Sequence, residues 1–271
     1  MTDIRGKYVL LTGGSRGLGP VIAEALARQG AHLALAARSL QDLQLVASKL
    51  KELGTKVITI PVDLSRSADR RGLVAFALEQ FDQIDILVNN AGIETEGAYL
   101  DLPWESVEQT LQVNLAAPLE LTHLLLPHML ARQSGHIVNI ASIGAKNGVA
   151  YDAVYCGTKA GLAEWTRALR LEHEGSGVHF STLFPGYVTE VGMFARFGLQ
   201  PPRLIGSCTA QQVARAVVKA IERNQREVIV NSTPLRLPFI LNEVSAELGD
   251  WLSRTSGAVE FQHQKVSLPK E

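Results

Sequence analysis

Apolar residues follow two alternating patterns along the chain, and this alternation predicts the fold class. Short runs in which nearly every residue is apolar, such as Tyr8–Thr12 and His32–Ala37, have the length of strands that are buried on both faces. Between such runs, apolar positions three and four residues apart predict amphipathic helices, and one of these, 40–53, ends at Gly54. Strands that alternate with helices predict a parallel sheet with helices on both faces, the α/β doubly wound architecture.

The same patterns extend the alternation to residue 231. The helix predicted at 104–132 contains Pro118 and Pro127, and a bend is expected at one of these two prolines. No linker or internal repeat occurs before Ser232, so residues 1–232 are predicted to form one domain and residues 233–271 an extension. The predicted strands are 8–12, 32–37, 56–61, 84–89, 136–140, 178–183 and 228–231, and the predicted helices are 18–29, 40–53, 69–81, 104–132, 211–223 and one that contains Tyr155 and reaches Glu174.

Composition and charge exclude several classes of protein. The chain has 271 residues, of which 46% are hydrophobic and 20% are charged, so a large core is expected and disorder is not. A net charge of -1 without a basic tract argues against a nucleic acid or an anionic membrane as the partner. Residues 1–6 do not resemble a signal peptide and no apolar run reaches about 18 residues, which predicts a cytoplasmic protein without a membrane span. Cys156 and Cys208 have no metal-binding or disulfide spacing, so no metal is expected.

The first chemical motif is the glycine-rich segment 12–19 at the first strand-to-helix turn. Gly13, Gly17 and Gly19 have the spacing G-x-x-x-G-x-G. Glycines at such a turn let a pyrophosphate approach the backbone, and the N-terminus of the following helix supplies partial positive charge. The pattern alone is also compatible with a tight turn that binds nothing. Its position after the first strand of a βαβ unit favours a dinucleotide site.

The end of the second predicted strand indicates which dinucleotide binds. NAD sites usually have an acidic residue there, which accepts a hydrogen bond from the ribose 2′-hydroxyl. Here the sequence is Ala-Ala-Arg-Ser at 36–39, and Arg38 together with Arg16 of the glycine-rich segment can pair with a 2′-phosphate. We therefore expect NADP(H). The alternative is that Arg38 is a solvated loop residue and Asp42, one helical turn later, binds the ribose of NAD(H).

Tyr155 and Lys159 stand four residues apart in a segment with a helical pattern, so they share one face of a helix. A cation beside a phenol favours the phenolate. Lys159 is therefore expected to lower the pKa of Tyr155 and to make it an acid and base near neutral pH. The same spacing is common between exposed helical residues that have no chemical role. The other motifs of the chain decide between these two interpretations.

Three further motifs complete a family pattern. Asp63 and Leu64 end the third predicted strand, residues 89–92 (Asn-Asn-Ala-Gly) end the fourth, and Ser142 lies 13 residues before Tyr155. With the glycine-rich segment and the Tyr155 and Lys159 pair, the chain from about residue 4 to 232 resembles the short-chain dehydrogenase/reductase family. The resemblance implies a seven-stranded Rossmann-type sheet in a single domain, with a nicotinamide cofactor at the carboxyl ends of the strands.

In that family an Asn, a Ser, a Tyr and a Lys carry out catalysis, and the matching residues are Asn114, Ser142, Tyr155 and Lys159. The resemblance implies that Tyr155 exchanges a proton with the carbonyl or alcohol oxygen, while Ser142 hydrogen-bonds the same oxygen. Lys159 would lower the phenol pKa and bind the ribose next to the nicotinamide. Asn114 would hold a water that relays protons from Lys159, and the alternative for Asn114 is a plain amide on the helix surface.

The resemblance also implies a set of cofactor-binding residues in the loops that follow the strands. Asp63 would accept a hydrogen bond from the adenine amino group, and Val188 would contact the nicotinamide carboxamide through its backbone. Family members commonly have Thr two positions after this Val, where the chain has Glu190, with Thr189 one place earlier. The implied set is Gly13, Ser15, Arg16, Gly17, Leu18, Gly19, Arg38, Ser39, Asp63, Leu64, Asn90, Ala91, Gly92, Tyr155, Lys159, Pro185, Gly186, Val188 and Thr189.

Two segments outside these motifs bear on the substrate. Residues 187–208 are markedly apolar and are expected to form a lid over an apolar substrate, with packing on the sheet as the alternative. Glu94 and Glu96 could border the same site or lie in a solvated loop. The extension 233–271 begins with an apolar run that could cover the active site, pack on a neighbouring subunit or touch a membrane surface, and the first two are preferred. From Ser253 it becomes polar, which predicts a mobile end.

Together these observations predict an NADP(H)-dependent oxidoreductase that interconverts a carbonyl and a primary or secondary alcohol on a small, fairly apolar substrate. The alternatives are a 3-oxoacyl thioester reductase, a steroid or retinoid dehydrogenase and, in a different class, a dinucleotide-binding regulator without catalysis. In related enzymes the helices that carry Asn114 and Tyr155 pack on their copies across a twofold axis, so a homodimer or homotetramer is expected.

Overall fold

The computed structural model describes residues 2–268, in which strands and helices alternate along most of the chain. The strands are β1 (Tyr8–Thr12), β2 (His32–Ala37), β3 (Val57–Pro61), β4 (Ile86–Asn89), β5 (Gly135–Ile140), β6 (Val178–Pro185), β7 (Tyr187–Val188), β8 (Ser207–Cys208) and β9 (Glu227–Val230). The helices are α1 (Leu18–Arg28), α2 (Leu40–Lys51), α3 (Ser67–Phe81), α4 (Trp104–Leu111), α5 (Ala117–Ala131), α6 (Ala153–Glu172), α7 (Ala210–Glu222), α8 (Arg236–Val244), α9 (Ala246–Thr255) and α10 (Ala258–Val266).

Seven strands form one parallel sheet in the order β3-β2-β1-β4-β5-β6-β9, which confirms the predicted seven-stranded doubly wound fold in a single domain. The short strands β7 and β8 pair with each other outside this sheet. The strand order reverses at β1, whose neighbours are β2 on one side and β4 on the other. In doubly wound sheets, ligands bind in the crevice at the carboxyl ends of the strands beside such a reversal.

Each sheet strand contributes side chains to two apolar layers, because successive residues of a strand point to opposite faces. Leu11 of β1 packs with residues of α1, α2 and α7 on one face, and its neighbour Leu10 packs with residues of α3 and α5 on the other. The strands are therefore apolar at nearly every position rather than at alternate ones. Since all seven strands run in the same direction, the loops that follow them meet at one edge of the sheet, and these loops carry the chemical motifs.

The predicted helix 104–132 is present as α4 and α5, with a π-helical turn, Gln112–Ala116, between them. The sequence predicted an irregularity at Pro118 or Pro127, whereas the break lies just before Pro118. Proline has no N–H to donate to the carbonyl four residues earlier, which here is that of Asn114, so this turn lacks one α-helical hydrogen bond. Pro127 lies inside α5 without ending it.

The extension after β9 forms α8, α9 and α10, which differs from the predicted mobile end. The polar sequence after Ser253 suggested mobility, but Phe261, Gln262 and Lys265 of α10 are buried. The ammonium group of Lys265 can be buried because it forms ion pairs inside the protein. The part of the predicted mobile end at 269–271 lies outside the described residues. Within the described range, no helix has both the length and the apolar character needed to cross a bilayer.

Candidate active site

A cavity of about 1000 Å³ lies at the carboxyl edge of the sheet, where the loops after β1 to β6 meet α6 and the C-terminal segment 233–268. Three of the predicted site residues, Gly19, Asn114 and Thr189, are not part of its lining. The predicted residues that do line it are Gly13, Ser15, Arg16, Gly17, Leu18, Arg38, Ser39, Asp63, Leu64, Asn90, Ala91, Gly92, Ser142, Tyr155, Lys159, Pro185, Gly186 and Val188.

The glycine-rich turn after β1 leaves no room for side chains at two positions. Gly13 has a φ of 68°, and a Cβ atom there would lie 2.9 Å from the Cα of Ala91. A Cβ on Gly19, in the first turn of α1, would lie 2.0 Å from the carbonyl oxygen of Gly13. The tight turn therefore brings the uncovered N-terminus of α1 to the cavity, which fits a pyrophosphate group. Gly19 does not line the cavity, but its lack of a side chain leaves room for the carbonyl oxygen of Gly13.

Thr12 and Asn90 fasten the glycine-rich turn to the loop after β4. The Thr12 hydroxyl accepts hydrogen bonds from the backbone N–H groups of Asn90 and Ala91, each at 3.1 Å. The Asn90 side-chain amide donates to the carbonyl oxygens of Thr12 at 3.0 Å and of the following residue at 3.2 Å. Asn89 instead donates across the sheet to the side chain of Asn139 at 2.8 Å. The first of these two asparagines thus joins strands, while the second shapes the cavity.

Two arginines and one aspartate border the cavity near the ends of β1, β2 and β3. Arg16 and Arg38 are exposed at its rim, and neither forms a salt bridge in the described part of the chain. Asp63 accepts hydrogen bonds from the backbone N–H and the hydroxyl of Ser65 at 3.0 and 2.8 Å. These bonds, together with the positive charge of Arg38, hold the pKa of the Asp63 carboxyl below its usual value. Asp63 therefore presents an ionised acceptor beside the Arg38 cation.

Three of the four predicted catalytic residues converge at one end of the cavity. Ser142 follows β5, accepts from the Gly144 N–H at 3.1 Å, and forms a hydrogen bond with the phenol of Tyr155. Tyr155 lies in the first turn of α6, and the Nζ of Lys159, one turn later, lies 5.6 Å from the centre of the Tyr155 ring. Lys159 Nζ also donates to the carbonyl oxygen of Ile140 at 2.8 Å. A serine hydroxyl, a phenol and a lysine amine are thus gathered around one point.

The expectation that Lys159 lowers the pKa of Tyr155 is wrong for this structure. The phenol is closely surrounded by protein, although part of the residue is reached from the cavity, and burial raises its pKa above the usual value. The carboxyls of Glu94 and Asp152 raise it further, whereas the hydrogen bond with Ser142 lowers it in part. Burial also lowers the pKa of Lys159 to about 8, so its positive charge is easily lost. Tyr155 is consequently a neutral phenol at pH 7.

Asn114 lies in the π-helical turn and uses its side chain to hold the loop after β4. Its Oδ1 accepts from the N–H of Ile93 and its Nδ2 donates to the Ile93 carbonyl, both at 2.8 Å. Nδ2 also donates to the hydroxyl of Thr158 in α6 at 3.3 Å. Because Asn114 is buried, the alternative of a surface amide is wrong. The water-relay role stays a prediction, and it would fall to the main-chain carbonyl, which Pro118 leaves without an α-helical donor.

The chain departs from the family pattern at Thr189 and Glu190, and Glu190 makes a contact with α7. Glu190 accepts from the backbone N–H of Ala210 at 3.3 Å, at the N-terminus of α7, where a negative charge is stabilised. It therefore links the segment 187–208 to the start of α7. Thr189 is not part of the cavity lining, so its position does not support the predicted contact with the cofactor.

A buried cluster of charges beside the cavity was not predicted from the sequence. The Lys265 side chain has 0% exposure, and its Nζ lies 2.6 Å from Oε1 of Glu94 and 2.7 Å from Oε2 of Glu96. Arg196, in the segment 187–208, pairs with Glu96 at 2.5 Å. The interpretation of Glu94 and Glu96 as a solvated loop is therefore wrong. No local pattern reveals the cluster, because 171 residues separate Glu94 from Lys265.

The segment 187–208 and α10 together form an apolar wall of the cavity. The ring centre of Tyr187 lies 4.7 Å from that of Phe194 and 5.6 Å from that of Phe261. The side-chain amide of Gln262 donates to the Tyr187 hydroxyl at 2.6 Å. A molecule in this part of the cavity therefore meets mostly hydrocarbon. The apolar lining residues that the C-terminal segment adds are Leu235, Pro238, Phe239, Leu252, Ala258 and Val259.

This fold and these loops can be compared with those of known proteins. Residues 7–200 match the family described as short chain dehydrogenase. The chain belongs to the short chain dehydrogenase family. It is therefore an oxidoreductase with a small-molecule substrate, and the tight glycine turn beside the cavity fits the nicotinamide dinucleotide that the family uses.

Relatives and solved structures agree with this assignment. The chain is 42% identical over 271 residues to the ketoacyl reductase HetN of Nostoc sp., covering 98% of this chain and 94% of that protein. A short chain dehydrogenase/reductase of Burkholderia phymatum in complex with NAD has a TM-score of 0.80 at 25% identity, with 92% of this chain and 96% of that chain covered. An actinorhodin polyketide ketoreductase with NADPH has a TM-score of 0.76 at 28% identity, with 85% and 98% covered. A metagenomic short-chain oxidoreductase in complex with NADP has a TM-score of 0.73 at 28% identity, with 86% and 100% covered.

Proposed function

We propose that the protein is an NADP(H)-dependent reductase that interconverts the carbonyl group of a small, fairly apolar molecule and the corresponding alcohol. The observation that carries the proposal is the convergence of Ser142, Tyr155 and Lys159 at the end of a large cavity with an apolar wall. Bound NADPH supplies the hydride. The residues of the chain must then bind the carbonyl, orient it and provide the proton.

Ser142 and Tyr155 suit the proton transfer. Their hydroxyls are adjacent, so one carbonyl oxygen placed between them can accept a hydrogen bond from each in place of the bond that they make to each other. The raised pKa of Tyr155 keeps the phenol protonated near neutral pH, so it can give its proton to the oxygen as negative charge develops there. Oxidation of an alcohol would require the phenolate first. The electrostatics of Tyr155 therefore favour reduction at pH 7.

Lys159 and Asn114 would support this transfer from the other side of Tyr155. With a pKa of about 8, Lys159 can lose and regain a proton near neutral pH, and it is close enough to Tyr155 to replenish the phenol. When it is charged, it can donate to the ribose hydroxyls next to the nicotinamide. Asn114 fixes the loop at Ile93, which forms part of the cavity wall.

The preference for NADP(H) rests on the charges at the ends of β1 and β2. Arg16 and Arg38 border the cavity without salt bridges of their own in residues 2–268, so both can pair with a 2′-phosphate. Asp42, the candidate acceptor for NAD(H), lies in the first turn of α2, where its backbone N–H donates to Ser39 at 3.2 Å. Since Arg38 stands nearer to the end of β2, we assign it the decisive contact.

A 3-oxoacyl thioester reductase is the second candidate, favoured by the similarity to a ketoacyl reductase over nearly the whole chain. The same residues would act on a carbonyl two atoms away from a thioester, and the apolar wall would hold the acyl chain. A regulator that binds a dinucleotide without turnover is the less favoured alternative, because it would have no use for the buried Tyr155 and Lys159 arrangement.

The lid region 187–208 and the extension that follows β9 are proposed to close the substrate chamber together. We also propose that the chain forms a homodimer or homotetramer through α5 and α6. Between these helices lies a depression of about 270 Å³ whose lining is largely apolar and includes Leu119, Leu126, Trp165 and Leu169. A second copy of the same surface would bury these side chains across a twofold axis.

A screen of aldehydes, ketones and 3-oxoacyl thioesters with NADPH and NADH, followed by the absorbance of the reduced nicotinamide at pH 7, tests the proposed function. We expect turnover of at least one apolar ketone or 3-oxoacyl thioester, with NADPH preferred. Preferential turnover of the thioesters would select the second candidate. Binding of NADPH without turnover of any compound would favour the regulator.

A further inference from the structure

Two buried polar side chains interrupt the apolar wall of the cavity where the C-terminal segment meets α6. Asp152 directly precedes α6 and is 5% exposed, and Gln262 lies in α10 and is 2% exposed. Both line the cavity. In the described part of the chain, Oδ1 of Asp152 and Oε1 of Gln262 have no hydrogen-bond partner. Buried polar atoms in proteins nearly always have a partner, so these two oxygens point to a missing ligand group.

The surroundings of each side chain keep its unpartnered oxygen in place. The amide nitrogen of Gln262 donates to the Tyr187 hydroxyl at 2.6 Å, which leaves the carbonyl oxygen as the free end. The Asp152 carboxyl lies close enough to Glu94 for that residue to raise its pKa, and the Glu94 carboxylate pairs with Lys265 at 2.6 Å. Neither side chain can turn away to find another partner without breaking these contacts.

The charges around Asp152 decide what it can offer to a ligand. Burial, followed by the negative charge of Glu94, raises the pKa of the Asp152 carboxyl, and Lys265 only partly opposes this. Glu96 acts in the same direction as Glu94. The Asp152 carboxyl therefore keeps its proton at neutral pH. Asp152 then behaves as a neutral hydrogen-bonding group, while Gln262 offers an acceptor.

We propose that Asp152 and Gln262 form a substrate-recognition subsite that binds a hydroxyl or amide N–H group of the substrate, apart from the carbonyl that is reduced. The substrate class is thus an apolar ketone or 3-oxo compound with one hydrogen-bond donor on its body. Asp152 lies one helical turn before Tyr155, and its carboxyl perturbs the pKa of that phenol, so the subsite adjoins the reacting end of the cavity. The inference rests on the proposed reductase function.

The test uses pairs of ketones that differ only in the donor group. The first series compares ω-hydroxy-2-alkanones with 2-alkanones that carry a methyl group in place of the hydroxyl, over several chain lengths. The second compares N-methyl oxoalkanamides with the matching methyl oxoalkanoates, in which an oxygen replaces the N–H. The ratio of kcat/KM within each pair is measured with NADPH, and the affinity of each ketone is measured by calorimetry in the presence of NADP+.

In the parent protein, the donor-bearing compound is expected to be preferred by about tenfold at the chain length that reaches the subsite. Gln262→Met keeps the size of the side chain and removes the acceptor, so this preference should fall to about twofold or less, mainly through KM. Asp152→Leu, which removes the hydrogen-bonding group and keeps a similar size, should also reduce it. Gln264→Met is the matched control, because Gln264 lies exposed on the same helix, and it should keep the parent ratio.

Three outcomes are distinguishable. A preference in either series that Gln262→Met or Asp152→Leu abolishes supports the subsite, and the series in which it occurs tells a hydroxyl from an amide. No preference at any chain length, or one that survives in both variants, overturns it, and unfolding curves show whether each variant is folded. If no ketone turns over, the reductase function fails. The calorimetric ratio then still tests the subsite by the same criteria.

Discussion

Replacing Lys265 by Met tests whether the buried ion pairs hold α10 against the cavity. Methionine keeps most of the apolar length of the side chain and removes the ammonium group that lies 2.6 Å from Glu94 and 2.7 Å from Glu96. Two buried carboxyls then lose their shared cation, and the neighbouring Asp152, whose raised pKa keeps it neutral near pH 7, cannot replace that cation. The folded state must either take up protons or release α10 from the domain.

The distances allow the size of the effect to be estimated. At an effective dielectric constant of about 20, two unit charges about 2.7 Å apart attract each other by roughly 6 kcal/mol, before the cost of removing them from water. Removing one partner of a buried ion pair commonly costs about 3–5 kcal/mol in net stability. Because Arg196 still pairs with Glu96, part of the charge remains compensated. We therefore expect the free energy of unfolding to fall by about 3 kcal/mol.

Urea unfolding followed by circular dichroism measures this loss. The matched control is Lys49→Met, since Lys49 is an exposed lysine of α2, and it should change the free energy of unfolding by less than about 0.5 kcal/mol. Adding Glu94→Gln to Lys265→Met should restore part of the stability, because it removes one of the uncompensated carboxylates. Hydrogen exchange in α10 should become faster in the single variant. A loss below about 1 kcal/mol, or no recovery in the double variant, would refute the reasoning.

Three further predictions concern the cofactor, a titration and the assembly. Arg38→Asp should reduce kcat/KM with NADPH by at least about thirtyfold and leave the value with NADH unchanged or higher. If the parent protein prefers NADH, Asp42 or a backbone contact determines the cofactor preference instead. Burial lowers the pKa of Lys159 from 10.5 to about 8, so the unfolded chain binds more protons between these pH values. Without cofactor, stability should therefore rise with pH across this interval by roughly 3 kcal/mol relative to Lys159→Met, and a constant difference would contradict the assignment. Light scattering should give the mass of a dimer or tetramer, and a monomer mass at all concentrations would exclude the proposed contact through α5 and α6.

Much of the fold follows from the sequence because apolar runs and amphipathic spacing are local signals. The seven strands and their parallel arrangement were predicted in this way, and the loops after them carry motifs whose positions the sheet brings together. Ser142 and Tyr155 are 13 residues apart, and one strand-to-helix connection is enough to place them side by side. Arg16 and Arg38 likewise lie after neighbouring strands.

The features that could not be predicted depend on distant or subtle contacts. Lys265 reaches Glu94 and Glu96 across most of the chain, and the polar composition around it suggested a mobile end instead. The pKa of Tyr155 follows from burial and from nearby carboxyls that only the folded chain brings close, so the local effect of Lys159 gave the wrong direction. Pro118 indicated that the long predicted helix would be irregular, but the sequence alone did not show that the π-helical turn would lie at Asn114.

The most direct test of the proposed reductase is the comparison of the parent with Tyr155→Phe in the NADPH-dependent reduction of the best ketone or 3-oxoacyl thioester found by screening. The variant loses only the phenolic hydroxyl, so we expect turnover to fall by about a thousandfold while the dissociation constant for NADPH changes by less than about threefold. Tyr151→Phe is the control, because Tyr151 does not line the cavity and instead contacts the ring of His263 at 5.5 Å. It should keep near-parental turnover. Turnover of Tyr155→Phe within about tenfold of the parent would contradict the assignment of Tyr155 as the proton donor.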